Sequence, residues 1–102
     1  MSAREMLVID TTGRASYPPE ALAEIEGLPV RIEPARAIEE DDVIEAARGA
    51  TAILVTAAYV TRRVMKALQP ELRAVVRYGV GLDRIDLEAA RELGVDVRNV
   101  RE

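Results

Sequence analysis

Apolar residues gather into five short runs along the chain: Leu7-Val8-Ile9, Val30-Arg31-Ile32, Ala52-Ile53-Leu54-Val55, Ala74-Val75-Val76 and Val95-Asp96-Val97. They recur about every 22 residues, the length of one strand plus one crossover helix. The stretches between them carry helical spacing with start and stop signals. Ser16-Tyr17-Pro18-Pro19 opens a first helix, since proline is tolerated in the first turn; Leu22 and Ile25 supply its stripe and Gly27 ends it. Val43, Ile44, Ala46 and Ala47 follow the acidic start Glu39 to Asp42, and Gly49 stops that helix. Thr61 caps a third helix carrying Val64, Met65 and Leu68, halted before Pro70. Asp86 caps a fourth, with Leu87, Ala90 and Leu93 as its stripe and Gly94 at its end.

The pattern is therefore βαβαβαβαβ, an α/β chain with right-handed crossovers and helices on both faces of a parallel sheet. Burial suggests the strand order. "MLVI" and "AILV" are apolar throughout, as strands covered on both faces are, so runs one and three belong in the middle. "PVRIEP" alternates between prolines, and "VDVRNV" sets Val95 and Val97 against Asp96 and Arg98, so runs two and five are edges. The expected architecture is a flavodoxin-like, three-layer, doubly wound parallel five-stranded sheet in the order 2-1-3-4-5. A covering helix after run five is not encoded before Glu102. The expectation is a single lobe, residues 1–102, belonging to a longer protein and self-associating through the uncovered edge, as a homodimer or by exchange of an element.

Composition narrows the chemistry. At 102 residues, with 49% hydrophobic and 31% charged residues, the chain has the balance of one globular domain. A net charge of -4 argues against nucleic acid or an anionic membrane as partner. No apolar run approaches the roughly 20 residues of a membrane span. The absence of Cys fits a reducing, cytoplasmic setting and removes thiolate chemistry. The absence of His removes the usual general base near neutral pH.

The stretch "VVRYGVGLDRIDLEAA" places Gly79 and Gly81 directly after the fourth run. A dinucleotide fingerprint needs a third glycine at position 84, which is Arg, and it belongs to the first βα turn. The pair either allows positive φ at a tight strand exit, or offers bare N–H groups to a carboxylate or phosphate at the rim where open α/β sheets bind ligands. Glu39 to Asp42 complement a helix start more simply than they form a metal site. Thr61-Arg62-Arg63 hints at phosphate binding, although paired arginines in a first turn are usually a solvated face. Asp10 invites comparison with phospho-acceptor receiver domains, but Thr56 and Asn99 stand near the places where those need Asp and Lys.

The stretch "ATAILVTAAYVTRRVMKALQPELRAVVRYGVGLDRIDLEAARELGVDVRNV", about residues 50–100, resembles the N-terminal lobe of the D-isomer-specific 2-hydroxyacid dehydrogenases. That family includes phosphoglycerate dehydrogenase, glyoxylate reductase, formate dehydrogenase and the C-terminal binding proteins. The resemblance implies a flavodoxin-like substrate-binding (catalytic) lobe that works with a separate Rossmann domain carrying NAD or NADP. In this lobe the amides of Val80 and Gly81 would hold the carboxylate of a 2-hydroxy or 2-oxo acid, with Gly79 setting the turn. The loop Thr56-Ala57-Ala58-Tyr59 would line the same cleft. It implies no catalytic residue, cofactor-binding residue or metal ligand within this chain. Two departures stand out: Arg84 where many members have Asn, and Arg101 where they have Pro. Thr56 replaces an Arg common in phosphoglycerate dehydrogenases, which argues against a phosphorylated substrate. The other expectation kept open is a stand-alone flavodoxin-like module that binds a small ligand or a protein without chemistry of its own.

Overall fold

The computed structural model describes residues 6–12, 30–78 and 84–100. Within them the chain forms β1 (Met6–Asp10), β2 (Val30–Pro34), α1 (Glu40–Ala46), β3 (Ala52–Val55), α2 (Arg62–Ala67), β4 (Ala74–Tyr78), α3 (Leu87–Leu93) and β5 (Asp96–Val100). The strands make one parallel sheet in the order β2-β1-β3-β4-β5, the arrangement that burial in the sequence suggests. The helix expected after Ser16 lies outside the described residues.

The reason for the order is visible in the side chains. All of β3 is buried, so it needs a neighbour on each edge and cover on each face. On β2, Arg31 and Glu33 share an exposed face and pair at 3.1 Å, and on β5, Asp96 and Arg98 do the same at 3.1 Å. Charges spaced two apart suit an edge and would be costly in the centre.

Alternation divides the core into two layers. Ile9, Ile53, Val55 and Val75 point to the face that receives all three described helices, where Val43 and Ile44 of α1, Val64 and Met65 of α2, and Ala89 and Ala90 of α3 pack. Val8, Ala52, Leu54 and Val76 form a smaller cluster on the opposite face.

Helix ends follow local chemistry. Asp86 Oδ1 accepts from the Ala89 N–H at 2.9 Å, and Thr61 Oγ1 accepts from the Val64 N–H at 3.4 Å, so both expected caps are present. Gly94 adopts φ 75°, which lets its N–H reach the Arg91 carbonyl and the Val95 N–H reach the Ala90 carbonyl. This closing turn uses Val95, which is buried, so β5 begins one residue later than the apolar run implies. Of the expected stripe of α3, Ala90 is buried and Leu93 packs against the core, while Leu87 does not. Leu87, the first residue after the cap, is 48% exposed, and Ala89 takes its place in the packing. Among the described residues the exposed large hydrophobics are Ile38 and Leu87, and neither lies on β5.

Two substitutions separate core from backbone contributions. Ile53→Ala, at a side chain with no exposure, should lower the unfolding free energy by about 2–5 kcal/mol. Gly94→Ala meets no atom within 4 Å and is strained only by its φ, so it should cost about 1–2 kcal/mol. Urea unfolding followed by circular dichroism measures both, and an equal or reversed ranking would contradict this account of the core.

Candidate functional site

Because every strand runs the same way, the chain leaves β1, β2, β3 and β4 at one edge of the sheet. Backbone bonds tie those exits together. The Thr11 N–H and hydroxyl both donate to the Leu54 carbonyl, at 3.0 and 2.7 Å, joining the β1 exit to β3. Ala35 N–H donates to the Asp10 carbonyl and Ala37 N–H to the Thr11 carbonyl, each at 2.9 Å, which folds the β2 exit against β1. Tyr59 N–H donates to the Ile38 carbonyl at 2.9 Å, and Val60 N–H to the Arg84 carbonyl at 2.9 Å. Main-chain bonds thus connect the β2 exit, the β3 exit and the segment that leads into α3.

Arg84 strengthens that connection. Its guanidinium lies 4.6 Å from the centre of the Tyr59 ring and donates to the Ala57 carbonyl at 2.7 Å. Arg84 therefore clasps the loop after β3, by stacking and hydrogen bonding together.

Asp10, at the end of β1, has no exposed surface. Its Oδ1 accepts from the Thr12 N–H at 3.0 Å and the Thr12 hydroxyl at 2.6 Å, a local turn that fixes the start of the loop. Its Oδ2 is buried without a hydrogen-bond partner among the described residues, and so is the Tyr78 hydroxyl at the end of β4. Two-residue alternation puts both side chains on the face of Val8, Leu54 and Val76. Burial raises the Tyr78 pKa above its ordinary 10.0, and the nearby charge of Asp10 raises it further.

Between the exits of β1, β2 and β3 lies a cavity of about 240 Å³ lined by Thr11, Thr12, Arg36, Ala37, Ile38, Thr56 and Ala57. It spans the point between β1 and β3 where the strand order reverses, the ordinary ligand position in open α/β sheets. Thr56 therefore stands in the wall of a hollow. Gly79, Val80 and Gly81 lie outside the described residues, although Tyr78 before them and Arg84 after them both stand at this edge. Sequence reasoning missed Arg36. Its signal is positional: it follows the second strand by two residues, on the rim that the strand order defines.

Arg62 and Arg63 are not arranged for a phosphate. Arg62 pairs with Glu92 at 2.7 Å, and Arg63 bonds Glu40 at 3.1 Å and also Asp41. The two arginines stitch α2 to α3 and to α1, and the hollow of about 390 Å³ beside them is walled by Glu39, Glu40, Asp41, Tyr59 and Arg63. Among the described residues no helix is long and apolar enough to cross a membrane.

Residues 6–102 match the family described as D-isomer specific 2-hydroxyacid dehydrogenase, catalytic domain. Among solved structures, the chain is similar to a Polaromonas sp. JS6 66 protein assigned to the NAD-binding D-isomer specific 2-hydroxyacid dehydrogenases, with 26% identity and a TM-score of 0.73 over 92% of this chain and 30% of that one. It is also similar to the TT0316 protein of Thermus thermophilus, with 29% identity and a TM-score of 0.66 over 90% of this chain and 29% of that one. The 3-phosphoglycerate dehydrogenase of Entamoeba histolytica, solved with NAD+, shares the fold at 24% identity and a TM-score of 0.67, over 94% of this chain and 33% of that one. The chain thus spans about a third or less of the length of these relatives. No curated protein matches it.

The orphaned Tyr78 hydroxyl leads to a prediction. Tyr78→Phe should leave stability near neutral pH unchanged or raise it by up to about 1 kcal/mol, because a buried group without a partner is removed. Since the folded pKa lies above the unfolded one, the stability linked to Tyr78 is fully present below pH 10.0 and is lost as pH rises through the folded value. Alkaline unfolding followed by circular dichroism should therefore be shallower in Tyr78→Phe than in the parent chain; equal slopes would refute the assignment.

Proposed function

The chain belongs to the D-isomer specific 2-hydroxyacid dehydrogenases, as their catalytic domain, and we propose that it is the substrate-binding lobe of such an enzyme. It holds the carboxylate of a 2-hydroxy or 2-oxo acid in a cleft shared with a dinucleotide-binding domain. The observation that carries this reading is the convergence of three strand exits on one cavity containing Thr56, with the flanks of the glycine loop, Tyr78 and Arg84, at the same edge.

Main-chain N–H groups suit a carboxylate because they supply fixed donors without the flexibility of a cationic side chain. In this role Val80 and Gly81 grip the acid, Gly79 gives the turn its freedom, and Thr56 lines the same cleft. The loop after β3 keeps its place through Arg84, which holds the Ala57 carbonyl and the Tyr59 ring.

On this reading the dinucleotide lies outside this lobe. Asp10 begins the turn after β1, its carboxyl engaged by Thr12, where a pyrophosphate turn carries glycines. Arg84 occupies the position of the third glycine and is committed to Ala57. The nicotinamide, and the groups that move the proton, therefore belong to the other lobe, consistent with a chain that has no His. The whole enzyme would pass a hydride reversibly between a nicotinamide and C2 of the acid, and this lobe alone contributes orientation rather than turnover.

Titration of the ¹⁵N-labelled chain with D-lactate or pyruvate tests the reading. The amides of Val80, Gly81 and Thr56 should shift together and saturably, while NADH should not bind at micromolar concentration. Micromolar NADH binding, or saturable shifts confined to another surface, would overturn it.

A further inference from the structure

The loop between β3 and α2 is pinned at both ends and loose in the middle. It starts from Val55, the last residue of β3, and ends at Val60. The Val60 N–H donates to the Arg84 carbonyl at 2.9 Å and its carbonyl accepts from the Asp86 N–H at 3.0 Å, a parallel bridge between Val60 and Ile85. Between these anchors the Tyr59 N–H donates to the Ile38 carbonyl at 2.9 Å. The Ala57–Ala58 peptide, by contrast, has no backbone-to-backbone bond among the described residues. Its hydrogen-bond partner there is a side chain, the Arg84 guanidinium, which donates to the Ala57 carbonyl at 2.7 Å.

A planar peptide turns as a unit, so its carbonyl and N–H exchange directions together when the flanking ψ and φ rotate. The Ala58 side chain is buried and holds its Cα against the core, which leaves rotation of the preceding peptide as the freedom of this loop. Thr56 and Ala57 line the cavity of about 240 Å³. A rotated peptide would therefore change the pattern of donors and acceptors along that rim. A guanidinium is suited to stopping the rotation, because its flat fork stacks on an aromatic face and still aims an N–H at a neighbouring carbonyl. Arg84 does both, with its guanidinium 4.6 Å from the centre of the Tyr59 ring.

We propose that Arg84 is a positioning residue, which locks the Ala57–Ala58 peptide in one orientation and so sets the rim that the cavity presents. The stack on Tyr59 aims the guanidinium, and the bond to the Ala57 carbonyl carries the lock. Arg84 is exposed and contributes nothing to the buried core, so the lock is separable from the stability of the fold. Its consequence for binding rests on the substrate-lobe reading; the lock itself does not.

Residual dipolar couplings and amide hydrogen exchange of the ¹⁵N-labelled 102-residue chain test the proposal. In Arg84→Ala the Ala58 coupling should shrink toward an averaged value, and exchange at the Tyr59 amide should rise about tenfold as a charge-assisted bond is lost. The Val60 amide, held by the backbone bridge, should stay within about twofold, and the urea midpoint should match that of the parent. Arg84→Lys should recover part of the lock, since an ammonium reaches a carbonyl but lacks the planar stack. D-lactate affinity, read at the Thr56 amide, should fall about fivefold in Arg84→Ala and recover in part in Arg84→Lys. An unchanged Ala58 coupling, or equal acceleration at Tyr59 and Val60, overturns the lock. If the peptide is released but D-lactate binds parent and variant alike, the positioning role is overturned and the substrate-lobe reading stands. If D-lactate does not bind the parent, that reading fails, and the couplings and exchange rates still decide the lock.

Discussion

Parallel pairing around a fully buried central strand is the constraint from which the rest follows. With Ile53 and Val55 on one face and Ala52 and Leu54 on the other, β3 has no face to offer solvent. It must be flanked and covered, and the cover has to return the chain to the same end before each new strand. That return gathers four loop beginnings on a single edge. A binding cavity there is a consequence of the topology before any side chain is chosen.

The edge is held in shape by polar groups that the core cannot supply. Asp10 and Thr11 act as a knot: their backbone carbonyls accept from the β2 exit, the Thr11 N–H and hydroxyl donate to Leu54 of β3, and one Asp10 carboxyl oxygen holds Thr12 in the turn. Arg84 performs the corresponding task on the other side of β3 by bridging to Ala57 and Tyr59. These contacts leave two buried polar atoms, Asp10 Oδ2 and Tyr78 Oη, without partners on the same sheet face. Buried atoms of this kind are normally satisfied, and both stand at strand ends on the sheet edge that carries the candidate site.

The surface charges have a different logic. Arg62 and Arg63 are spent on Glu92, Glu40 and Asp41, exposed pairs that each add little stability but keep neighbouring helices in register. Arg36, in the lining of the cavity, has no such pair among the described residues.

Much of this protein was legible in the chain itself. The strand runs, the caps at Thr61 and Asp86, the stop at Gly94 and even the order of strands follow from residue spacing and from which runs are apolar on both faces, because these are local or nearly local effects. The glycine signature near residue 80 carries the family resemblance, and the family match over residues 6–102 agrees with it. Other features were decided only in three dimensions. Val95 closes a helix instead of opening a strand because the turn at Gly94 needs an apolar residue to bury. Arg36 and Thr56 meet across a cavity although 20 residues of chain separate them. Asp10 and Tyr78 share a face because β1 and β4 both flank β3. Such meetings depend on strand pairing between distant segments, and no spacing rule along one chain contains them.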